Sequence, residues 1–432
     1  MSPKTIKTFT FGCRVNQYET EYLRQGFEQL GYRTAQNGET PDLCIVNSCA
    51  VTAESEAKCR KLVRRLAKAY PATEIILMGC YAARAPEETA RLPNVVQVVG
   101  DKSVLPQFLA ERGLSTPPQG IHYFPSRRRA YVKVQDGCQA RCSYCIVPLV
   151  RPKLTSRPVA EVLCEVRRLL ANGHREIVLT GVHLGRYGME HHTGKAANLI
   201  ELVQQITNLE GEFRLRLSSI EASEVPPELL RLMAARPARV CPHLHLPLQS
   251  GSDAVLRRMN RPWPVQEFVN RCRAIQSLLD MPTLSTDIVV GFPGETEEDF
   301  LATCQVVEEV GFGRLHVFRF SPRPGTPAAR MPGQITNRLV QERAERLIEL
   351  GKRLAKEWLK RFLGRRLRVL VELPLSDHAG WLLGTSDHYL PVAFPGDRNL
   401  IGRFVYVLPH YLENGRLLGE QCRRQTPQAS RS

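Results

Sequence analysis

The chain has 432 residues, 43% of them hydrophobic, and 59 Lys+Arg against 43 Asp+Glu leave it at +16. That length exceeds one ordinary domain and predicts two or three, and the basic excess points to a polyanionic partner, nucleic acid or an anionic membrane surface. No stretch approaches the roughly 18–20 apolar residues that span a bilayer, and the N-terminus lacks the apolar core of a signal peptide. The expectation is therefore a cytoplasmic protein with no membrane partner, in which 13 cysteines speak for metal or catalytic chemistry rather than disulfides.

Along residues 1–125, three apolar runs read as strands: Lys7–Phe11, Leu43–Val46 and Ile75–Met78. Helical patterns follow them, the first carrying Tyr22, Leu23, Phe27 and Leu30 on one face, the third beginning near Pro86. Strand–helix alternation of this kind builds a parallel α/β sheet. Cys13, Cys49 and Cys80 each lie just past the C-terminal end of one strand, the edge where open α/β sheets bind ligands. One such cysteine would be an ordinary small core residue; three in equivalent places predict a common ligand site. Cys44, inside a strand, and Cys59, on a helix, fit the ordinary reading.

The linker Leu114–Gly120 is rich in Pro and Gly and breaks regular structure. Arg127-Arg128-Arg129 then serves either as a solvated hinge or as an RNA contact. Over residues 126–362 the alternation resumes, with strands predicted at 131–134, 176–180, 213–217, 243–248, 284–290 and 315–320. Six β/α units suggest an open, partial barrel, whose chemistry sits on the loops after the strands. The first of these loops, Asp136-Gly137-Cys138-Gln139-Ala140-Arg141-Cys142-Ser143-Tyr144-Cys145, places three thiols in C-x3-C-x2-C spacing. Three thiolates this close can hold three corners of a 4Fe–4S cubane and leave one iron open. A zinc knuckle is the competing reading, but it takes four ligands, usually in pairs, and no second pair follows. The remaining strand ends carry Gly181, Ser218 and Glu221, and Arg323 follows the sixth; Asp287 lies within the fifth strand. Glycine allows close backbone approach to a nucleotide, Glu221 and Asp287 can accept from a ribose hydroxyl or an ammonium, and Arg323 can clamp a carboxylate.

Thr336–Leu363 is one long basic helical pattern. Beyond it, Arg368–Leu373, Gly380–Thr385, Leu390–Ala393 and Arg403–Leu408 alternate with turns, as in a small five-stranded barrel that binds single-stranded nucleic acid. The tail from Cys422 to Ser432 is polar and predicted to be disordered.

These motifs resemble a known family. The cysteine loop is similar to the signature of radical S-adenosylmethionine (SAM) enzymes, and the phrases around Cys13 (Gly12-Cys13-Arg14-Val15-Asn16-Gln17), Cys49 (Val46-Asn47-Ser48-Cys49) and Cys80 (Gly79-Cys80-Tyr81-Ala82) resemble the methylthiotransferases. The resemblance covers nearly the whole chain. It implies an N-terminal methylthiotransferase domain (1–125), a radical-SAM core with a partial (β/α)6 barrel (126–362) and a C-terminal all-β TRAM domain that binds RNA (363–427). It implies two 4Fe–4S clusters, one on Cys138, Cys142 and Cys145 and an auxiliary one on Cys13, Cys49 and Cys80. It also implies SAM held by Tyr144, Gly181, Ser218, Glu221 and Asp287, with Arg323 near the substrate. In this family SAM is cleaved to a 5′-deoxyadenosyl radical that abstracts hydrogen, while the auxiliary site supplies sulfur and another SAM the methyl group. An electron donor such as flavodoxin or ferredoxin would be a further partner.

The wording around Cys13 and at Gly181-Val182-His183-Leu184-Gly185 resembles the branch acting on carbon 2 of N6-threonylcarbamoyladenosine in the tRNA anticodon loop. The branches for N6-isopentenyladenosine and for an aspartate of a ribosomal protein are worded differently there. The +16 charge fits tRNA without separating these substrates. A cluster-bearing RNA-binding protein without turnover is the non-enzymatic alternative. The chain departs from the family at Pro152, where glycine is usual, and at Thr155, where arginine is usual, which puts substrate contacts in doubt there.

Overall fold

The structure is a computed structural model that describes residues 3–125, 128–189 and 198–422. Arg127 of the triple-arginine stretch and the tail beyond Cys422 lie outside the described residues.

The N-terminal sheet is fully parallel, in the spatial order Arg33–Thr34, Thr5–Thr10, Leu43–Ser48, Glu74–Gly79, Val95–Val99. Its central strand Leu43–Ser48 is buried along its whole length, as expected of a strand covered on both faces. The flanking strands Arg33–Thr34 and Val95–Val99 were not predicted: the first is two exposed residues long, and the second is a half-buried edge strand without alternation. The helix after the third strand begins at Cys80 rather than near Pro86. It runs Cys80–Arg84, breaks at Ala85 and resumes as Pro86–Ala90. The residue before a proline is pushed out of helical geometry, and that break misplaces the start when read from sequence.

The central unit carries six parallel strands: Arg129–Asp136, Glu176–Gly181, Arg214–Leu217, His243–His245, Thr283–Val290 and Arg314–Arg319. Parallel bridges Leu215↔Val240 and Ser219↔His245 carry the order from the third strand to the fourth, which gives the partial (β/α)6 barrel. Thr155–Ser156 adds a short antiparallel edge against Gln135 and Asp136. One apolar core runs from Ile6 and Phe27 of the first unit through Val132, Ile177, Leu215 and Ile288 of the barrel, so the two units share a single buried interior. The long helix Asn337–Lys360 packs on the last barrel strand, where Gly351 admits Leu315.

The C-terminal strands Leu367–Pro374, Trp381–Ser386, Pro391–Pro395, Arg416–Cys422 and Phe404–Glu413 close into a barrel in that order. The strand Arg416–Cys422, missing from the sequence reading, follows a two-residue turn at Asn414 and Gly415, both at positive φ, and completes the closure. This barrel meets the narrow end of the central one through the turn Ser386–Leu390. Tyr389 there has φ 65°, a left-handed backbone that costs a non-glycine residue about 1–2 kcal/mol. Its ring lies 4.6 Å from His243 and 4.5 Å below the Arg216 guanidinium, and Arg14 Nη2 donates to its hydroxyl at 3.4 Å. Arg214 donates to Asp387 Oδ1 and to the Thr385 carbonyl, each at 2.9 Å.

Behind this contact Glu176 accepts from Arg214 Nε at 2.7 Å and from Arg216 Nε at 2.8 Å, all three side chains being fully buried. Burial by itself raises the Glu176 carboxyl, and the guanidinium charges of Arg214, Arg216 and Arg129 reverse this and hold it well below the ordinary carboxylate range. A carboxylate depressed in the folded state adds stability above its unfolded pKa of about 4.3 and loses it as pH falls below that value. Glu176→Gln is thus expected to cost about 3–5 kcal/mol at pH 7, as for one partner of a buried ion pair. In urea titrations the gap from wild type should narrow toward pH 3; an equal gap at both pH values would contradict this role.

Candidate cluster sites and the chamber between them

The three strand-end cysteines of the first unit converge. Cys13 caps the helix Arg14–Gln29. A Cβ on Gly12 would stand 2.9 Å from Cys49 Cβ, so only glycine lets these two strand ends approach. Gly79, at φ 100°, makes the sharp turn into Cys80; a Cβ there would lie 2.3 Å from the Ser48 carbonyl oxygen. The thiols feel one another's charge: burial lifts Cys49 to about 11, with Cys80 and Cys13 adding to the rise. Crowding by protein atoms raises Cys13 although the residue as a whole is exposed, with Arg151 opposing and Cys80 adding. Cys44 and Cys59 are buried in the apolar core of this unit, as read from sequence.

Polar side chains brace the trio. Asn16 Nδ2 donates to the carbonyls of Phe11 (2.9 Å) and Ser48 (3.0 Å), tying two of the strand ends together. Arg151, from just past the other cysteine loop, donates to Asn16 Oδ1 at 2.9 Å, to Glu19 at 2.7 and 2.8 Å and to Asp136 at 2.7 Å. Lys133 adds contacts to Glu19 (2.9 Å) and Asp136 (2.7 Å). Lys102 is buried and its ammonium has no hydrogen-bond partner among the described residues; burial lowers its pKa, with Cys80 opposing. A cation held this way beside three thiols suits an anionic thiolate–cluster assembly. The donor set, three thiols with no fourth cysteine in contact among the described residues, fits a 4Fe–4S cluster with an open iron.

The loop Asp136–Cys145 is held as tightly. Gly137, at φ 79°, has Lys153 O only 1.8 Å from where a Cβ would sit. Ser143 binds the segment 258–259, its N–H donating to the Met259 carbonyl (2.9 Å) and its Oγ to the Arg258 carbonyl (2.7 Å). Burial raises Cys145 to about 12, with Cys142 and Cys138 contributing, which places the three thiols together. His183 Nδ1 lies 3.4 Å from Cys138 Sγ, and its Nε2 is 2.9 Å from Glu224. Burial lowers His183, but the bonds to Cys138 and Glu224 win and take it to about 9.

The other predicted residues fall on this rim with altered partners. Tyr144 is edge-on to Phe292, ring centroids 6.4 Å apart. Gly181 makes a close approach to Gln135, whose Oε1 a Cβ would meet at 2.8 Å. Ser218 is buried, and its hydroxyl has no hydrogen-bond partner among the described residues. Arg261 clamps Glu221 at 2.9 and 2.5 Å and also reaches Cys142 Sγ at 3.8 Å. Arg323 pairs with Glu56 of the N-terminal unit, which also takes Arg84 at 2.6 and 3.0 Å, so its carboxylate partner is internal. Pro152 and Thr155 line a cavity of about 340 Å3 that also touches Lys102 and Arg151.

Asp287 faces a second chamber of about 170 Å3, lined from the first unit by Val51 and Thr52, from the loop by Tyr144 and Cys145, and from the barrel by Asp287, Phe318 and Arg319. Cys145 of the loop trio lines it directly, and Val51 and Thr52 bring in the segment that follows Cys49. Within it, Asp287 Oδ1 lies 3.1 Å from both His245 Nε2 and His316 Nδ1. Burial raises Asp287, and the two imidazole hydrogen bonds overcome it, leaving the carboxyl at about 2. His245, His316, Arg151, Arg261 and Lys102 were not read as site residues, because their partners lie far away in sequence.

A family model described as "Uncharacterized protein family UPF0004" matches residues 5–100, and one described as "Radical SAM superfamily" matches residues 132–307. The chain is 38% identical over 414 residues, 93% of each chain, to the threonylcarbamoyladenosine tRNA methylthiotransferase MtaB of Thermotoga maritima. It is 37% identical, again over 93% of each, to the protein of that name from Bacillus subtilis. A tRNA-2-methylthio-N(6)-dimethylallyladenosine synthase of Desulfitobacterium hafniense is 32% identical over 98% of each. Among solved structures, the radical S-adenosylmethionine methyltransferase TsrM of Kitasatospora setae, with cobalamin and a [4Fe-4S] cluster bound, shares the fold at TM-score 0.55 and 15% identity, covering 76% of this chain and 77% of that one. With this architecture and these full-length relatives, the chain belongs to the MtaB-like radical-SAM methylthiotransferase family.

Proposed function

We propose that this enzyme places a methylthio group on carbon 2 of N6-threonylcarbamoyladenosine in tRNA, giving 2-methylthio-N6-threonylcarbamoyladenosine. The observation that carries the reading is the 38% identity along 93% of the chain to an enzyme named for that substrate, against 32% along 98% and 36% along 85–86% of the chain for relatives named for the dimethylallyl substrate. A chamber lined by Cys145 of the loop and by Val51 and Thr52 of the first unit is in keeping with it, since sulfur insertion needs a radical source and a sulfur source within reach of one carbon.

When bound, the two 4Fe–4S clusters and SAM supply the electron, the hydrogen-abstracting radical, the sulfur and the methyl group. The residues of this chain do the rest. Cys138, Cys142 and Cys145 hold one cluster, with Arg261 balancing the charge at Cys142; Cys13, Cys49 and Cys80 hold the other, with Lys102 and Arg151 beside it. Tyr144, Gly181, Ser218, Glu221 and Asp287 form the wall around SAM, Glu221 acting by fixing Arg261 and Gly181 by seating Gln135. Arg323 contributes by docking the first unit onto the barrel rim. The substrate base is met in the anticodon loop, where bases can splay out of the stack, and the C-terminal barrel is the RNA-binding TRAM module. The electron donor is a small cytoplasmic carrier such as flavodoxin or ferredoxin.

The test is anaerobic reconstitution, then incubation with SAM, reductant and threonylcarbamoylated tRNA, with nucleoside mass spectrometry. The 2-methylthio product is expected. A reconstituted, SAM-cleaving enzyme that leaves this tRNA unchanged while converting isopentenylated tRNA would reassign the substrate.

A further inference from the structure

Four strand ends of the parallel N-terminal sheet open on one edge. Three lead into Cys13, Cys49 and Cys80. The fourth, the end of the edge strand Val95–Val99, leads into Lys102. That strand lies beside Glu74–Gly79, with Val99 opposite Met78. Gly100 then rests on the helix that Cys80 begins, where a Cβ would stand 3.1 Å from Ala83 Cα. Asp101 caps the 3-10 turn Lys102–Val104, its Oδ1 accepting from the Ser103 N–H at 2.9 Å and from the Ser103 hydroxyl at 2.7 Å. Lys102 is only 5% exposed, and it shares a cavity wall with Ala82, Ala83, Asp136 and Arg151.

The charge at this corner does not close among the side chains. Two carboxylates, Glu19 and Asp136, meet three cations, Arg151, Lys133 and Lys102. Arg151 and Lys133 together occupy both oxygens of each carboxylate. Asp101 is exposed and taken by Ser103. Lys102 Nζ is left with no hydrogen-bond partner among the described residues, and a buried ammonium without a counter-ion is strongly unfavourable. Burial and Arg151 lower its pKa, and Cys80, Glu19 and Asp136 oppose them. Arg151 reaches the same trio from the other side: its Nη2 donates to Asn16 Oδ1 at 2.9 Å, the atom that the Cys13 thiol approaches at 3.8 Å. With Cys13, Cys49 and Cys80 read as the auxiliary cluster site, on which this role depends, the missing anion is the thiolate–cluster assembly. One electron added there is one more negative charge beside the ammonium. Coulomb attraction in a low-dielectric site favours that reduced form, and nearby charge is among the levers that set iron–sulfur potentials.

We propose that Lys102 is the built-in counter-cation of the auxiliary cluster, a positioning residue that balances its charge and raises its reduction potential. The test uses the full-length chain with Cys138, Cys142 and Cys145 replaced by alanine, so that only the auxiliary site carries iron. This parent and its Lys102→Met and Lys102→Arg forms are reconstituted with iron and sulfide, and iron per chain is counted. The reduced cluster is then followed by electron paramagnetic resonance in a potentiometric titration. Lys102→Met should lower the ratio of reduced to oxidised cluster at a fixed potential by at least about tenfold, a downward shift of about 59 mV for one electron. Lys102→Arg, which keeps the charge, should stay within about threefold of the parent. Before reconstitution, Lys102→Met should be no less stable to urea than the parent, because an uncompensated buried charge is gone. Should Lys102→Met bind no iron, Lys102→Gln, with a dipole in place of the charge, is titrated instead. A ratio within about twofold of the parent, with about four irons bound, would overturn the proposal and leave the cluster assignment intact. An apoprotein destabilised by Lys102→Met with an unmoved potential would make Lys102 a packing residue. A parent that binds no iron would sink the cluster assignment and this role with it.

Discussion

Replacing Cys13, Cys49 and Cys80 together by alanine should leave reductive SAM cleavage in place and abolish the methylthio product, a loss of at least about a thousandfold, if these three thiols hold the sulfur source as proposed. Replacing Cys138, Cys142 and Cys145 should abolish both. Each triple variant should carry about four irons per chain where the reconstituted wild type carries about eight. The geometry makes the two outcomes separable. Each trio is braced by its own neighbours, Asn16 and the glycines at 12 and 79 on one side, Gly137, Ser143 and Arg261 on the other. Unchanged iron in the first variant, or SAM cleavage surviving in the second, would show that the thiols are assigned wrongly.

Arg151→Met is expected to be the most damaging substitution outside the cysteines. The guanidinium is 6% exposed and bridges Glu19 and Asn16 of the first unit to Asp136 at the mouth of the cysteine loop. Its removal leaves Glu19 and Asp136 facing each other with only Lys133 between them, and stranding buried charge in this way costs about 3–5 kcal/mol. The chemical denaturation midpoint should fall accordingly. The methylthio product should decline far more than SAM cleavage, since the first unit would lose its fixed position over the barrel. A stability change below about 1 kcal/mol would place Arg151 outside the docking role. Thr155, where the family usually carries arginine, pairs with Asp136 through the backbone at the same corner.

The local patterns were legible in the chain and the long-range polar pairings were not. Three thiols within one loop, six apolar strands and a cysteine after each of three strands are features of neighbours in sequence, and periodicity exposes them. That Glu221 is taken by Arg261, Arg323 by Glu56 and Gly181 by Gln135 depends on which surfaces meet, and no spacing rule carries that information. The same holds for His316, which reads as one polar residue in an apolar strand until its register against Asp287 is known. The closing strand Arg416–Cys422 escaped because Gly419 and Glu420 interrupt its apolar run, while the closure itself is secured by pairing on both sides, to Phe404–Glu413 and to Pro391–Pro395.

The turn Ser386–Leu390 has a consequence for how such enzymes can be recombined. Tyr389 packs against His243 and Arg216 of the central barrel, and its hydroxyl reaches the arginine next to Cys13, so the C-terminal barrel is not a bead on a string. A chimera carrying a foreign C-terminal barrel would inherit Arg214, Arg216 and Glu176 facing an unmatched surface. Interchange of the C-terminal barrel between enzymes of this architecture is therefore constrained to partners that preserve this five-residue plug.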